Sequence, residues 1–248
     1  MSGHSHWATI RRKKGATDAK RGKIFSKFAR IIATAARRGG ADPEMNLSLK
    51  YAIDRARAYN MPNDNIERAV KKGAGGDAAE TYQELVYEGY IGGVAMLIEA
   101  LTDNRNRTAA EVRHALELKG ASLGGQGSVA WMFHSKGLIG VQVGSVEEDK
   151  LMEIALEAGA EDINVSDNIY EITCSAQDLE KVRKTLIDNG IKPEVAQVSK
   201  VPQNYIDVDV STAHKINALL EKLEDMDDIQ EIYTNANMPS EEAETKKG

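Results

Sequence analysis

The chain of 248 residues has a single cysteine, Cys174, so neither an internal disulfide nor a thiolate metal site can form within it. Cys174 ends an alternating apolar stretch that starts at Ile169, the pattern of a strand, and its expected role is that of a buried small hydrophobe. Long apolar runs are missing too. None approaches the roughly 18 consecutive apolar residues of a membrane span, and Met1 to Ile10 carries no apolar core of the secretory kind. The expectation is a soluble, cytoplasmic protein with no membrane partner. The histidines His4, His6, His114, His134 and His214 are scattered, without a His-Glu-x-x-His or a Cys-x-x-Cys to hold a metal. There is no serine nucleophile elbow, and Gly124-Gly125-Gln126-Gly127 lacks the Gly-Lys-Ser/Thr ending of a phosphate loop. With no catalytic constellation assembled, the expectation is a non-enzymatic chain with no cofactor, no metal and no small-molecule substrate.

Acid is scarce at one end. Residues 1–76 hold 17 Lys+Arg against 6 Asp+Glu, a local charge of +11, whereas residues 77–248 hold 15 against 32, a charge of −17. Between Arg11 and Arg38 the only acid is Asp18. This run lacks the alternating signs of a salt-bridged helix face, and it has the footprint of a surface that meets a polyanion. Nucleic acid is the first candidate partner. Part of the basicity has a structural explanation, because Arg37 and Arg38 fall in the last turn of a helix, where cations suit the dipole.

That helix is read from Ile24, Phe25, Phe28, Ile31, Ile32 and Ala35 at helical spacing, and it stops at Gly39-Gly40. A second helix is expected to open at Asp42-Pro43 and run to about Tyr59. A third begins near Asp64, with Glu67 as its capping partner, and closes at Gly73. After a linker the pattern turns to strands, Tyr82 to Glu88 and Val94 to Leu101, then to a helix with a Thr108/Glu111 capping box. From Val129 to Lys200 the elements read strand, strand, helix, strand pair, helix, strand, and two helix-plus-strand units in succession suggest a ferredoxin-like βαββαβ domain. A strand at Tyr205 to Val210, a helix to about Met226 and a strand Ile229 to Tyr233 are left over. The carboxylates Glu224, Asp225, Asp227 and Asp228 read as a solvated helix end and turn. The tail after Met238 reads as disordered.

Several long ungapped strings resemble the YebC/PmpR family. They are Gly3-His4-Ser5-His6-Trp7-Ala8, Asp18 to Phe25, Met61 to Ala69, Glu99 to Arg113 and Gly127 to Phe133, and together they span nearly the whole chain. The resemblance implies an α+β protein of three domains: an N-terminal helical bundle, a middle α/β domain, and a ferredoxin-like domain inserted into the middle one. The boundaries expected are 1–20 for a flexible basic arm, 21–76 for the bundle, 80–130 plus 206–238 for the middle domain, 131–205 for the inserted domain and 239–248 for the tail. The family is described as probable DNA-binding transcriptional regulators. It is related to a mitochondrial translational activator of cytochrome oxidase, and some members look like ribosome-associated factors that relieve stalling at proline runs. Two positions depart from the pattern: His6 stands where Lys is usual, and Gly89-Tyr90-Ile91-Gly92-Gly93 is one residue shorter than the usual Gly-Tyr-Gly-Pro-Gly-Gly, so no role is carried over to that loop.

The expected phosphate contacts are Arg11, Arg12, Lys13, Lys14, Lys20, Arg21, Lys23, Lys27 and Arg30, with Arg105 and Arg107 as a second group beside a helix N-terminus. Phosphate contacts position a protein but carry no sequence information. Phe25 and Phe28 belong to the apolar stripe, which leaves Trp7 as a stacking candidate. Three readings follow: promoter DNA binding, docking on ribosomal RNA or the ribosome, and a protein-interaction module whose arm meets an acidic protein.

Overall fold

The computed structural model describes residues 18–75, 82–166 and 168–239. These fall into two compact units, one running to Trp131 and resumed over Ser211–Asn235, the other made of Met132–Val210 and the residues from Ala236.

The first unit begins with α1 (Asp18–Gly39), α2 (Leu47–Ala58) and α3 (Asn63–Ala74). The stripe of α1 buries Phe28, Ile32 and Ala36, facing Leu49, Ile53 and Ala56 of α2 and Ile66 and Ala69 of α3 in one small core. Each large aliphatic side chain fully buried there contributes about 1.5–3 kcal/mol. Phe28 meets Tyr59 with ring centroids 5.1 Å apart. The third helix ends at Ala74, one residue past the close expected at Gly73. Gly73 lies within α3, and a Cβ there would stand 2.2 Å from the Ala33 carbonyl oxygen, so the glycine is what lets α1 and α3 approach.

The second helix also starts later than expected. Asp42-Pro43 forms a turn in which the Glu44 N–H donates to Asp42 Oδ1, and the cap of α2 is Asn46. Asn46 is buried because its side chain works on both sides: Oδ1 accepts from the Leu49 N–H, while Nδ2 donates to the carbonyls of Ala35 and Gly40, each at 2.8 Å. One amide thus ties the end of α1 to the start of α2.

The sheet of this unit is built from β1 (Gln83–Ile91), β2 (Val94–Thr102), β3 (Ser122–Leu123) and β9 (Ile229–Thr234), in the order β3-β1-β2-β9. β1 and β2 pair antiparallel from Gln83↔Thr102 to Ile91↔Val94. Their hairpin closes in Gly92-Gly93 at φ +57° and +83°, the pair of positive values a type I′ turn requires. β2 is almost wholly buried, and it pairs on its other edge with β9, from Met96↔Thr234 to Ala100↔Ile229. Between β2 and β3 runs α4 (Arg105–Leu118), which buries Val112, Ala115 and Leu116, and β9 is reached through α7 (Val210–Glu224), which buries Ile216, Leu219 and Leu223. The expected capping box of α4 is not used. Asn104 is the cap, accepting from the Arg107 N–H at 3.1 Å, and Thr108 lies inside the helix, buried.

The second unit runs β4 (Phe133–Gln142), α5 (Glu148–Ala158), β5 (Ala160–Ser166), β6 (Ile169–Ser175), α6 (Leu179–Asp188) and β7 (Val195–Pro202). Its sheet has the order β5-β6-β4-β7 with every neighbouring pair antiparallel. α5 and α6 pack side by side and bury Leu151, Ala155, Val182 and Leu186, while Ile139, Val141 and Ile172 are buried in the sheet. Cys174 is among the fully buried residues, and burial pushes its thiol up to about 11. A short parallel pair, β8 (Ile206–Asp207) with β10 (Ala236–Asn237), completes the unit. The expected strand at Val129 is instead a 3₁₀ turn over Ala130–Met132, and β4 starts only at Phe133.

Candidate nucleic-acid interface

Asp228, which sequence context assigns to a solvated turn, is buried and accepts four side-chain hydrogen bonds. Its side chain is 7% exposed. The hydroxyls of Thr102 and Thr108 donate to its Oδ2 at 3.0 and 2.7 Å, Arg107 Nη2 donates to the same oxygen at 2.7 Å, and Arg30 Nη1 reaches Oδ1 at 3.1 Å. Burial alone would raise its pKa. The hydrogen bonds from Arg107, Thr108 and Thr102 outweigh burial and hold the carboxyl below its ordinary range. Asp228 thereby joins the end of β2 and the start of α4 to α1.

The neighbouring turn engages more of the α1 cations. Lys27 Nζ donates to the Glu224 carbonyl at 2.6 Å, Lys23 Nζ to the Asp225 carbonyl at 3.3 Å, and Arg30 to the Asp227 carbonyl at 3.1 Å. These carbonyls lie at and just past the C-terminus of α7, where unsatisfied acceptors and the helix dipole favour cations. Three of the expected phosphate contacts, Lys23, Lys27 and Arg30, are therefore engaged within the molecule. Arg107 joins them through Asp228 and through Asp103 at 2.8 Å. Arg105, at the first helical position of α4, is exposed and forms no ion pair among the described residues. Arg21 is exposed on α1. Arg11, Arg12, Lys13, Lys14 and Trp7, and the side chain of Lys20, lie outside the described residues.

Between these elements lies a cleft of about 1290 Å³. One wall is formed by α1 and α3, and it brings Arg37 and Arg38 of α1 together with Arg68 and Lys72 of α3. Arg68 is braced by its own helix, donating to the Asp64 carbonyl at 3.2 Å and to the Asn65 side chain, and Arg38 pairs with Glu84 at 2.7 Å. Arg68 and Lys72 are not among the contacts expected from sequence. Their signal is there as an i, i+4 pair of cations on one face of a helix. The same cleft is lined by the carboxylates Asp103, Glu111, Asp225, Asp227 and Asp228 as well as by Phe25 and Ala29. It is therefore the cations of the α1/α3 wall, and not the cleft as a whole, that can hold successive phosphates, and they read no base edge by themselves. Among the described residues no group of three His, Cys, Asp or Glu is placed to hold a metal ion, and no helix is long and apolar enough to cross a membrane.

Residues 5–76 match the family domain described as the TACO1/YebC protein N-terminal domain, and residues 82–236 match that described as the TACO1/YebC second and third domain. A probable transcriptional regulatory protein of Halothermothrix orenii is 50% identical over 245 residues, covering 97% of each chain. One of Treponema pallidum is 50% identical over 242 residues, covering 97% of this chain and 99% of its own. The crystal structure of a conserved hypothetical protein from Aquifex aeolicus superposes with a TM-score of 0.85 at 44% identity, over 96% of this chain and 98% of that one. With both halves matched and relatives of similar length aligned almost end to end, this chain belongs to the TACO1/YebC family.

Proposed function

We propose that this protein is a non-enzymatic regulator of gene expression that binds nucleic acid through its phosphates, using the basic arm and the α1/α3 wall of the cleft. The observation that carries the reading is the convergence of Arg37, Arg38, Arg68 and Lys72, from two helices, on one cleft in the same unit that follows the arm. Structured RNA, ribosomal RNA included, suits this surface better than an operator does. A recognition helix presents its N-terminal residues to base edges. α3, which follows α2 after a short turn, opens instead with Asp64 and Glu67, which would face phosphates with like charge. Shape and phosphate recognition has no such requirement. Binding to promoter DNA is the second reading, and it is favoured by the description of the relatives as probable transcriptional regulatory proteins.

The second unit, with its βαββαβ element order and β5-β6-β4-β7 sheet, we read as a ferredoxin-like domain inserted into a middle α/β domain, in keeping with the second and third domains of the family description. The link to translational activation rests on kinship with TACO1.

Ultraviolet crosslinking in living cells, followed by sequencing of what copurifies, tests the function. Ribosomal RNA enriched by the wild type and lost on changing Arg37, Arg68 and Lys72 to alanine supports the RNA reading. Discrete promoter DNA supports the transcriptional one. Complexes that survive nuclease unchanged contradict both and leave the protein-interaction reading.

A further inference from the structure

We propose that Tyr90 and Trp131 form a second nucleic-acid contact, a platform on which unpaired bases of a single-stranded segment stack. The proposal rests on the nucleic-acid reading above and gives the middle of the chain a role in it. Trp131 is 65% exposed, although an indole is normally among the more buried side chains. Tyr90 is exposed as well, at 36%. Both are tethered to one atom: the Tyr90 hydroxyl and the Trp131 Nε1–H donate to the Ser128 carbonyl oxygen, at 2.7 and 3.2 Å. Their polar groups are thereby satisfied within the protein, and what remains for a partner is ring face.

The segment that holds them is fixed from below. Glu88, buried under the loop, accepts from the N–H groups of Gly127 and Val129 at 2.6 Å and of Ala130 at 2.8 Å. Burial would raise the Glu88 pKa, and the backbone donors at Val129, Gly127 and Ala130 bring it below its ordinary value instead, so the carboxylate stays charged and the loop stays closed on it. Rings held this way lose little freedom when a partner binds.

Charge selects the partner. Residues 77–248 carry 32 acids, yet 118–146, the stretch that contains Ser128 and Trp131, has no Asp or Glu at all. It is the longest acid-free run in the acidic part of the chain. Gly125, Gln126 and Gly127 of the same loop are exposed and carry no charge. A sequence-tolerant base stack on an aromatic face, carried by a stretch of chain without acids, is the chemistry of single-stranded nucleic-acid binding.

The test uses the full chain with Trp7→Phe, which leaves Trp131 as the only tryptophan. It is titrated with an oligouridylate of about twelve nucleotides and with a duplex of the same length. Quenching of Trp131 emission by the single strand and not by the duplex is expected. Trp131→Ala should weaken the single strand roughly ten-fold and the duplex by less than about two-fold, and Trp131→Phe, which keeps a ring, should recover most of the loss. Single-strand affinity unchanged in Trp131→Ala overturns the platform and leaves the aromatic pair to a protein partner or to none. Equal losses on both ligands overturn it as well. Binding of neither ligand by the wild type would remove the nucleic-acid reading itself, an outcome distinct from loss of the platform alone.

Discussion

Arg30 of α1 and Asp228, nearly two hundred positions later in the chain, meet at 3.1 Å on a carboxylate that Thr102, Arg107 and Thr108 also engage. A basic helix whose charge pattern reads as a nucleic-acid arm is therefore in part a structural cation that closes its own unit. Of the α1 cations, Lys23, Lys27 and Arg30 meet the 224–228 turn, and Lys23 and Arg30 line the cleft together with Arg37 and Arg38.

Removing the carboxylate leaves Arg30 and Arg107 facing each other without it. Asp228→Asn is expected to cost about 2–3 kcal/mol, less than for a fully buried pair because both arginines keep contact with water. Because the folded pKa is depressed, the stabilisation is present above the unfolded carboxylate value and is lost as pH falls through the folded one. The gap in urea midpoint between wild type and variant should accordingly be full above about pH 5 and narrow as the pH falls below the unfolded carboxylate value of about 3.9. A gap independent of pH would show that Asp228 acts by shape alone.

Arg30→Ala should behave as a stability variant rather than a binding variant. Its urea midpoint should fall, with a loss of about 1–2 kcal/mol, while the salt dependence of nucleic-acid binding should stay within about half a unit of the wild-type slope. A slope shallower by a full unit with stability unchanged would return Arg30 to the phosphate contacts.

Glu88→Gln replaces a carboxylate that faces three N–H donors with an amide that offers one oxygen and turns an NH₂ toward the rest. A loss of about 2–3 kcal/mol is expected, together with lower fluorescence anisotropy of Trp131 as the loop loosens. Unchanged anisotropy would mean the tryptophan is held by something other than that loop.

At Gly73 two effects oppose each other. Alanine is favoured over glycine in a helix, here in the last turn by less than the about 1 kcal/mol of a helix interior, but its Cβ would stand 2.2 Å from the Ala33 carbonyl oxygen, and backbone cannot yield cheaply. Gly73→Ala should therefore lower the melting temperature, with a net loss of about 1–2 kcal/mol. A raised melting temperature would mean that α1 and α3 separate without cost.

Period and punctuation carry much of the architecture. The stripe of α1, the two early strands and the alternation of strands and helices after Phe133 are all visible as local patterns, because burial on one face imposes its repeat on the sequence. What is not legible depends on contacts distant in the chain. Asn46 outcompetes Asp42 as a cap because its amide also finds Ala35 and Gly40. Thr108 looks like a cap, but its hydroxyl serves Asp228, 120 residues away. The chain turns at Ala130–Met132 instead of extending from Val129 because Glu88, some 40 residues earlier, collects the N–H groups of Val129 and Ala130. The candidate interface follows the same rule. An excess of cations in the first third is plain, but which of them the acidic turn takes, and that Arg68 and Lys72 join the others, depends on how the elements pack.

The most direct test of the central claim is the salt dependence of binding to a structured RNA, measured for the wild type and for a variant with Arg37, Arg68 and Lys72 changed to alanine. With about six phosphates neutralised, the wild-type plot of log K against log salt should have a slope near −5, and the variant a slope shallower by about 2–3 units with its fold intact by circular dichroism. Equal slopes for the two proteins, or a flat response in both, would contradict the assignment of the α1/α3 cleft as a phosphate-binding surface.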